Sequence, residues 1–232
     1  MFDMIAFDAD DTLWENMGTY MEGWAAFQRV IAPWAHEETS LARLQEVEIR
    51  NLRHFGYGIK GFTLSMIETA IEVTEGRIPA TAIQALVDLG RDMLAHPVDL
   101  LPGVQACLEA LAPRYPLMVI TKGDLFDQEA KLARSGLAHH FRHLEVVSEK
   151  DPATYQRLLD RHGLDPARFL MVGNSLKSDI LPVVQIGGHA VHVPHTHTWT
   201  HEEIPEGTLD PGHFATLDGL ARLPDWLAAR QA

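Results

Sequence analysis

Three carboxylates crowd into four positions near the start of the chain, where the stretch FDADDTLW contains Asp8, Asp10 and Asp11. They directly follow the apolar run MIAF at residues 4–7, so a buried strand would end in concentrated negative charge. Like charges a few ångströms apart repel each other, which costs stability in a partly buried site unless something positive lies between them. One interpretation is a catalytic or metal-binding site. The other is a surface turn, because Asp is a common turn residue.

Further polar residues follow three later apolar runs. Thr121 ends PLMVIT, Lys150 follows HLEVVS, and Asn174 and Asp179 follow RFLMVG. From about residue 99 onward such runs alternate with helical stretches, which is the rhythm of a parallel α/β sheet. Functional groups of open α/β sheets gather at the carboxyl ends of the strands. We therefore expect acid, hydroxyl and ammonium groups to face one crevice.

The stretch from residue 15 to residue 96 has helical patterns and no convincing strand. Two sets of large apolar residues each fall on one helical face: Tyr20, Trp24, Phe27 and Ile31 in the first, and Leu64, Ile67 and Ile71 in the second. The predicted fold class is α/β, a Rossmann-like parallel sheet core with an inserted all-helical cap domain. The core is predicted over residues 1–14 and 97–232, and the cap over residues 15–96.

Composition and charge exclude several classes of protein. The 232 residues are 46% hydrophobic, enough for a substantial core, and 19 Lys+Arg against 32 Asp+Glu give a formal net charge of -13. That balance argues against binding to nucleic acid or an anionic membrane. No apolar run approaches the roughly 18 residues of a membrane span, and no signal peptide is recognisable. The single Cys107 cannot form an internal disulfide, so we expect a cytoplasmic location and a core position for this residue.

The four polar segments together resemble the motifs of the haloacid dehalogenase superfamily of hydrolases. FDADDT is similar to its D-x-D-x-T nucleophile motif, VIT to its strand ending in Thr or Ser, Lys150 to its lone lysine at a helix start, and VGNSLKSD to its closing acidic motif. Four motifs in the right order are far more specific than any one of them. The resemblance covers residues 1–14 and about 99–193, and it implies that the helical stretch is a cap.

The resemblance implies phosphoryl transfer through an aspartyl-phosphate. Asp8 would attack phosphorus, and Asp10 would protonate the leaving group and then deprotonate water. Lys150 would neutralise charge, while the Thr121 hydroxyl and backbone N–H groups, including that of Lys122, would hold the phosphoryl oxygens. The dehalogenases of the superfamily lack an acid two residues after the nucleophile, so this chain is expected to act on phosphate esters. The alternative for Lys150 is a solvated lysine at a helix start.

The resemblance also implies a Mg²⁺ cofactor. Its ligands would be Asp8, the backbone carbonyl of Asp10, and Asp179, because Mg²⁺ prefers oxygen ligands. Asn174 stands where many relatives carry Asp. Its amide oxygen is a further candidate ligand.

A small phosphorylated metabolite, such as a sugar phosphate or a nucleotide, is the expected substrate. Arg50, Arg53 and Lys60 are candidate substrate-binding residues in the cap, although a solvated cationic face explains the same pattern. The run HAVHVPHTHTWTHEE raises a zinc hypothesis, because histidine pairs bind zinc. Its histidines are His189, His192, His195, His197 and His201. The alternative is a Pro-bounded connection without converging ligands.

Three other functions stay open on the sequence. A phosphomutase-type phosphotransferase would pass the phosphoryl group from the same intermediate to a sugar. A signalling receiver domain also combines acids, Thr and Lys on an α/β sheet, but it carries the phosphorylated Asp on an internal strand and has no large helical insert. A non-catalytic phosphate-binding protein on the same scaffold is the third alternative. The sequence predicts no oligomeric state.

Overall fold

The computed structural model describes residues 2–197, 199–205, 208 and 210–230. The chain forms two compact units. The α/β unit comprises Met1–Met17, Val98–Lys122 and Gln128–Ala232, and the helical unit comprises Gly18–Pro97 together with Gly123–Asp127. The sequence predicted the corresponding boundaries at residues 15 and 97. The short segment 123–127, which the sequence assigned to the core, belongs to the helical unit instead.

Within the described residues, six parallel strands form one sheet in the order β3-β2-β1-β4-β5-β6. Their bounds are β1 Met4–Phe7, β2 Leu117–Lys122, β3 His143–Val147, β4 Phe169–Gly173, β5 His189–His192 and β6 Ala215–Thr216. All four residues of β1 are buried, as expected for an apolar strand covered on both faces. The predicted Rossmann-like α/β fold is confirmed.

The helical unit is built from four helices in the part of the chain that the structure describes. These are α1 Met17–Ile31, α2 Glu37–Phe55, α3 Ile59–Val73 and α4 Ala80–Ala95. The apolar face predicted on α1 is confirmed, because Phe27 and Ile31 are fully buried and Tyr20 and Trp24 pack against the same core.

The face predicted on α3 is wrong at Leu64 and Ile71, although the third residue, Ile67, packs against the core as predicted. Leu64 and Ile71 are 43% and 45% exposed, while Phe62, Met66 and Ala70 turn toward the core. The buried side of α3 carries large residues such as Phe62 and Met66 together with small ones, and α3 packs against both α2 and α4. The contact with α4 is close, because a Cβ added to Gly90 of α4 would lie only 2.2 Å from Thr63 Oγ1.

Helices cover both faces of the sheet. They are α5 Val104–Leu111, α6 Leu125–Arg134, α7 Pro152–His162, α8 Leu181–Gln185 and α9 Leu223–Ala229. Successive residues of β1 point to opposite faces: Ile5 and Phe7 join the cluster that contains α5 and α9, whereas Met4 and Ala6 join the one that contains α7.

Two expectations drawn from composition can be compared with this fold. Cys107 lies on the buried face of α5, where burial raises the pKa of its thiol to about 12. It is therefore a core residue, as predicted, and not a nucleophile. No helix among the described residues is long and apolar enough to cross a membrane.

Strand register brings the polar chain segments to one edge of the sheet. Phe7 pairs with Val119 of β2 and with Val172 of β4, and the Asp8 N–H donates to the Val172 carbonyl at 2.9 Å. Asp8 therefore lies level with the residues that follow Val119 and Val172. Thr121 and the loop after β4 lie at the same carboxyl edge.

Candidate active site

A buried ion-pair cluster lies at the carboxyl edge of the sheet. Lys150 Nζ lies 2.5 Å from Asp8 Oδ1 and 2.7 Å from Asp179 Oδ1. All three residues are buried, and the Lys150 side chain is only 2% exposed. They meet because β1, β3 and β4 all end at this edge: Asp8 follows β1, Lys150 follows β3 and Asp179 follows β4. A solvated role for Lys150 is excluded, and so is a simple surface turn at Asp8.

The cluster is short of positive charge. Burial raises the pKa of Asp8 to about 7. The charge of Lys150 opposes this increase, whereas the charges of Asp179 and Asp10 add to it. Burial lowers the pKa of Lys150, but the two carboxylates outweigh burial and hold that pKa above its usual range. The single ammonium group of Lys150 is thus the ion-pair partner of two buried carboxylates. Additional positive charge would be needed to ionise Asp8 fully at neutral pH.

The oxygen atoms around Asp8 fit a hard divalent cation. Thr12 Oγ1 lies 3.1 Å from Asp8 Oδ2 and 3.3 Å from Asn174 Oδ1, and it accepts the Asn174 N–H at 3.1 Å. The hydroxyl therefore joins the loop that contains Asp8 to the loop after β4. Two buried carboxylates, from Asp8 and Asp179, and a nearby amide oxygen form the all-oxygen donor set that Mg²⁺ prefers.

The turn after β4 is built to hold Asp179. A π-helical turn spans Leu176–Ile180, and Asp179 Oδ2 accepts the Ser175 N–H at 2.9 Å. A Cβ added to Gly173 would lie 2.3 Å from Asp179 Oδ2. Only glycine leaves room at residue 173 for this packing of Asp179.

Thr121 and Lys122 end β2 beside this turn. The buried Thr121 hydroxyl donates to the Lys122 carbonyl at 3.2 Å. Lys122 Nζ lies 2.5 Å from Glu202 Oε1 and donates to Ser178 Oγ at 3.0 Å. The side chain of Lys122 thus binds protein groups, whereas the sequence interpretation used its backbone N–H.

Glu202 is a mostly buried acid, with its side chain 14% exposed, that the sequence interpretation missed. Its carboxylate accepts hydrogen bonds from Ser178 Oγ and, at 2.7 Å, from Ser175 Oγ. Burial favours its neutral form, but Lys122 and the two hydroxyls outweigh burial and lower the pKa of Glu202 to about 2. Glu202 therefore ties the loop after β5 to the end of β2 and to the turn that carries Asp179.

Asp10 is held by three side-chain donors. Its Oδ1 accepts from Trp14 Nε1 at 2.7 Å and from Lys131 Nζ at 3.0 Å, and its Oδ2 accepts from Gln128 Nε2 at 2.8 Å. The sequence interpretation named none of these donors. Gln128 and Lys131 lie one turn apart on α6, a spacing that the sequence shows, but their pairing with residue 10 is not visible without the fold.

Asp11 lies outside the Asp8 cluster. Asp11 Oδ1 accepts the N–H groups of Asn16 and Met17 at 2.9 and 2.8 Å, and burial raises the pKa of Asp11 to about 6. The ring of His195 lies 3.1 Å from Glu15 Oε2 and 3.9 Å from Asp11 Oδ1. Ligand atoms of Asp11, Glu15 and His195 lie within 4.8 Å of one another, so the three could hold a metal ion.

The histidine-rich run does not converge on a zinc site in the described part of the chain. The Asp11 group contains His195 alone of the five histidines. Two of the others use a ring nitrogen on backbone carbonyls: His189 on Ala167 at 3.2 Å, and His192 on Asn174 at 3.0 Å. These contacts favour the alternative, in which the run is a connection held by local hydrogen bonds.

The three cationic residues predicted to bind substrate belong to the helical unit. Arg50 lies 2.9 Å from Glu68 and 3.0 Å from Glu72, and Lys60 lies 2.7 Å from Asp124. Arg53 Nε donates to His54 Nε2 at 3.2 Å. Substrate binding by Arg50, Arg53 and Lys60 stays a prediction.

Comparisons with known proteins identify a family and a relative of this chain. The family model for haloacid dehalogenase-like hydrolases matches residues 2–187. Pyrimidine 5'-nucleotidase YjjG of Escherichia coli (strain K12) is 28% identical over 167 residues, which are 67% of this chain and 72% of that protein.

Solved structures share the fold over the whole chain. A haloacid dehalogenase-like family hydrolase from Xanthomonas campestris is 41% identical, with a TM-score of 0.87 over 100% of this chain and 95% of that one. A 2-haloacid dehalogenase from Pseudomonas syringae pv. Tomato DC3000 is 25% identical, with a TM-score of 0.65 over 100% of both chains.

Proposed function

Because the chain belongs to the haloacid dehalogenase-like hydrolase family, we propose that it is a Mg²⁺-dependent phosphatase of a small phosphorylated metabolite, acting through an aspartyl-phosphate at Asp8. The observation that carries this proposal is the buried Lys150, which lies within hydrogen-bonding distance of both Asp8 and Asp179. A carboxylate nucleophile beside an ammonium and a second acid is the arrangement that phosphoryl transfer requires.

In the first step, an Asp8 oxygen attacks phosphorus and the bond from phosphorus to the leaving oxygen breaks. Asp10, which is protonated in the substrate complex, gives this proton to that oxygen, and Lys150 stabilises the charge on the transferring group. In the second step, Asp10 takes a proton from water, the water oxygen attacks phosphorus, and the bond from phosphorus to Asp8 breaks. Inorganic phosphate leaves, and Asp8 and Asp10 return to their starting states.

The side-chain oxygens of Asp8, Asp179 and Asn174, with the backbone carbonyl of Asp10, are the groups that would hold Mg²⁺. When bound, the ion supplies positive charge for the phosphoryl oxygens and aligns them with the nucleophile. The shortage of positive charge around Asp8, whose pKa burial raises to about 7, supports this cofactor.

Asp10 supports a phosphatase over a dehalogenase, although relatives of both names were found. A halide leaves without a proton, whereas an alkoxide needs an acid. Asp10 is two residues from the nucleophile and is held by three donors. The name of the Escherichia coli relative makes pyrimidine nucleoside monophosphates the first substrates to test.

We also propose a cytoplasmic enzyme that binds a small molecule and neither nucleic acid nor membrane. The single buried Cys107 and the formal net charge of -13 support this proposal.

Phosphate release from a panel of compounds tests the proposed activity. The panel contains pyrimidine and purine nucleoside monophosphates, sugar phosphates and 4-nitrophenyl phosphate, each with Mg²⁺ or with EDTA, and 2-chloropropionate is assayed for chloride release. We expect Mg²⁺-dependent phosphate release that Asp8→Asn abolishes. The control Asp3→Asn, which makes the same change at an exposed ion pair with Arg168, should retain activity. Chloride release without phosphate release, or full phosphatase activity in Asp8→Asn, would contradict the proposal.

A further inference from the structure

We propose that Lys131 and Gln128 are positioning residues that hold the Asp10 side chain in the orientation needed for its two proposed proton transfers, to the leaving group and from water. The inference rests on the proposed phosphatase activity. It concerns the first turns of α6, which no motif of the family resemblance includes.

The contacts of Gln128 fix its amide in one orientation. Gln128 Nε2 donates to Asp10 Oδ2 at 2.8 Å and to the Lys122 carbonyl at 3.1 Å. Both partners are acceptors, so the nitrogen and not the oxygen of the amide must face them. The residue is 3% exposed. Gln128 therefore joins the loop that contains Asp8 and Asp10 to the end of β2 through a rigid buried contact.

Lys131 holds the other oxygen of the same carboxylate. Its Nζ donates to Asp10 Oδ1 at 3.0 Å and to Asn16 Oδ1 at 3.0 Å, and its side chain is 11% exposed. Asp10 and Asn16 lie at the two ends of the loop that follows the nucleophile. The two donors from α6 thus fix both carboxylate oxygens of a residue that lies in a loop and not in a strand or helix.

Orientation matters for Asp10 because its proposed role is to transfer a proton over a hydrogen-bond distance. General acid–base groups contribute about 10²–10⁴-fold to rate, and that contribution depends on geometry. A catalytic side chain that must keep one orientation needs hydrogen bonds or packing from neighbouring side chains to hold it there. Lys131 and Gln128 provide that support from 121 and 118 residues away in sequence.

The test exploits the chemistry of the leaving group. We compare three variants, Lys131→Met, Lys131→Arg and Arg134→Met, on two substrates. The leaving group of phenyl phosphate needs a proton, whereas that of 4-nitrophenyl phosphate needs little protonation. Lys131→Met should lower kcat/KM about tenfold or more on phenyl phosphate and less than about threefold on 4-nitrophenyl phosphate. Lys131→Arg should restore most of the loss. The control Arg134→Met, an exposed residue one turn further along α6, should behave as wild type.

Two further variants keep the inference falsifiable if Lys131→Met folds poorly. Gln128→Leu removes the other donor and should show the same dependence on the leaving group. In an Asp10→Asn background, Lys131→Met should lower activity no further, because residues that act through one group are coupled.

Equal losses on both substrates, or a further loss in the Asp10→Asn background, would assign Lys131 a purely structural role and overturn the inference. A wild-type protein that hydrolyses neither aryl phosphate with Mg²⁺ would overturn the proposed function, and the inference with it. That outcome needs no variant, so the two failures are distinguishable.

Discussion

Glu48 of the helical unit and Glu202 of the α/β unit are both mostly buried, and their pKa values move in opposite directions. Burial raises the pKa of Glu48 to about 7, and Glu48 Oε2 has no hydrogen-bond partner among the described residues. Burial acts on Glu202 too, but Lys122, Ser178 and Ser175 outweigh it and lower the pKa to about 2. The same side chain is thus a stability cost in one unit and a stabilising contact in the other.

The contrast extends to the other acids of the two units. At the edge of the sheet the acids have lysine partners: Asp8 and Asp179 have Lys150, Asp10 has Lys131, and Glu202 has Lys122. In the helical unit, ion pairs such as that of Arg50 with Glu72 are partly exposed. Paired buried charge therefore marks the proposed site, whereas an isolated buried acid such as Glu48 does not.

Lys150→Met is expected to have the largest effect. It leaves Asp8 and Asp179 buried without their cation, and breaking a buried pair costs about 3–5 kcal/mol of unfolding free energy. Phosphatase activity should fall about 10²-fold or more, because charge stabilisation of the transferring group is lost. Denaturant unfolding and kcat/KM measure the two effects.

The matched control for Lys150→Met is Arg168→Met, which breaks the exposed pair with Asp3. Exposed pairs contribute less than about 1 kcal/mol. If the two variants lost the same stability, the distinction between buried and exposed charge would be wrong.

Glu48→Gln should stabilise the protein above neutral pH. In the unfolded chain this residue has an ordinary glutamate pKa of 4.5, whereas in the folded protein its pKa is about 7. The cost to stability therefore grows as pH rises from 4.5 to 7 and stays constant above 7. The variant should gain up to about 3 kcal/mol at pH 8 and nothing at pH 4. Unfolding in urea at both pH values is the measurement, and an equal gain at both would exclude this cause.

Glu202→Gln should destabilise the protein, which is the opposite of the effect of Glu48→Gln, and its effect should depend on a different pH range. The pKa of about 2 in the folded protein lies below the ordinary glutamate value of 4.5. The stabilisation is therefore complete above pH 4.5 and is lost as pH falls toward 2. The variant should lose up to about 3 kcal/mol at pH 7, and the difference from wild type should shrink at pH 3. A difference that does not change with pH would show that the hydrogen bonds and not the charge of Glu202 matter.

The strands and the central acids could be predicted from the sequence because both depend on local patterns. Three apolar runs end at or next to Asp8, Thr121 and Asn174. Parallel pairing brings the carboxyl ends of such strands to the same edge of the sheet, whatever the strand order. The partners of Asp10 could not be predicted. Lys131 is 121 residues away, and only the packing of α6 places it there.

The buried face of α3 was also beyond the sequence pattern. Large apolar residues at helical spacing indicated Leu64 and Ile71, which are exposed. The opposite face of α3 is buried, and it carries the large apolar residues Phe62 and Met66 together with the almost fully buried Ser65 and Thr69. Because both faces of α3 carry large apolar residues, hydrophobic periodicity alone could not select the buried one.

Arg50→Met is expected to have the smallest effect on stability and tests the predicted role in substrate binding. Its partners Glu68 and Glu72 are partly exposed, so the midpoint of thermal unfolding should change little. If Arg50 binds substrate, KM should rise several-fold while kcat stays constant. Arg43→Met is the control, because Arg43 pairs with Glu46 and Glu72 in the same unit. An unchanged KM in Arg50→Met would favour the solvated cationic face.

The most direct test of the account is to find the phosphoryl group on the protein. The Asp10→Asn variant is mixed with 4-nitrophenyl phosphate and Mg²⁺, quenched in acid and mapped by peptide mass spectrometry. The leaving group needs little protonation, whereas hydrolysis of the intermediate needs the Asp10 carboxylate, so the intermediate should accumulate. We expect a phosphate on the peptide that contains residue 8, and none when Asp8→Asn is added. Nitrophenol release with no phosphate on that peptide, or phosphate on another residue, would contradict it.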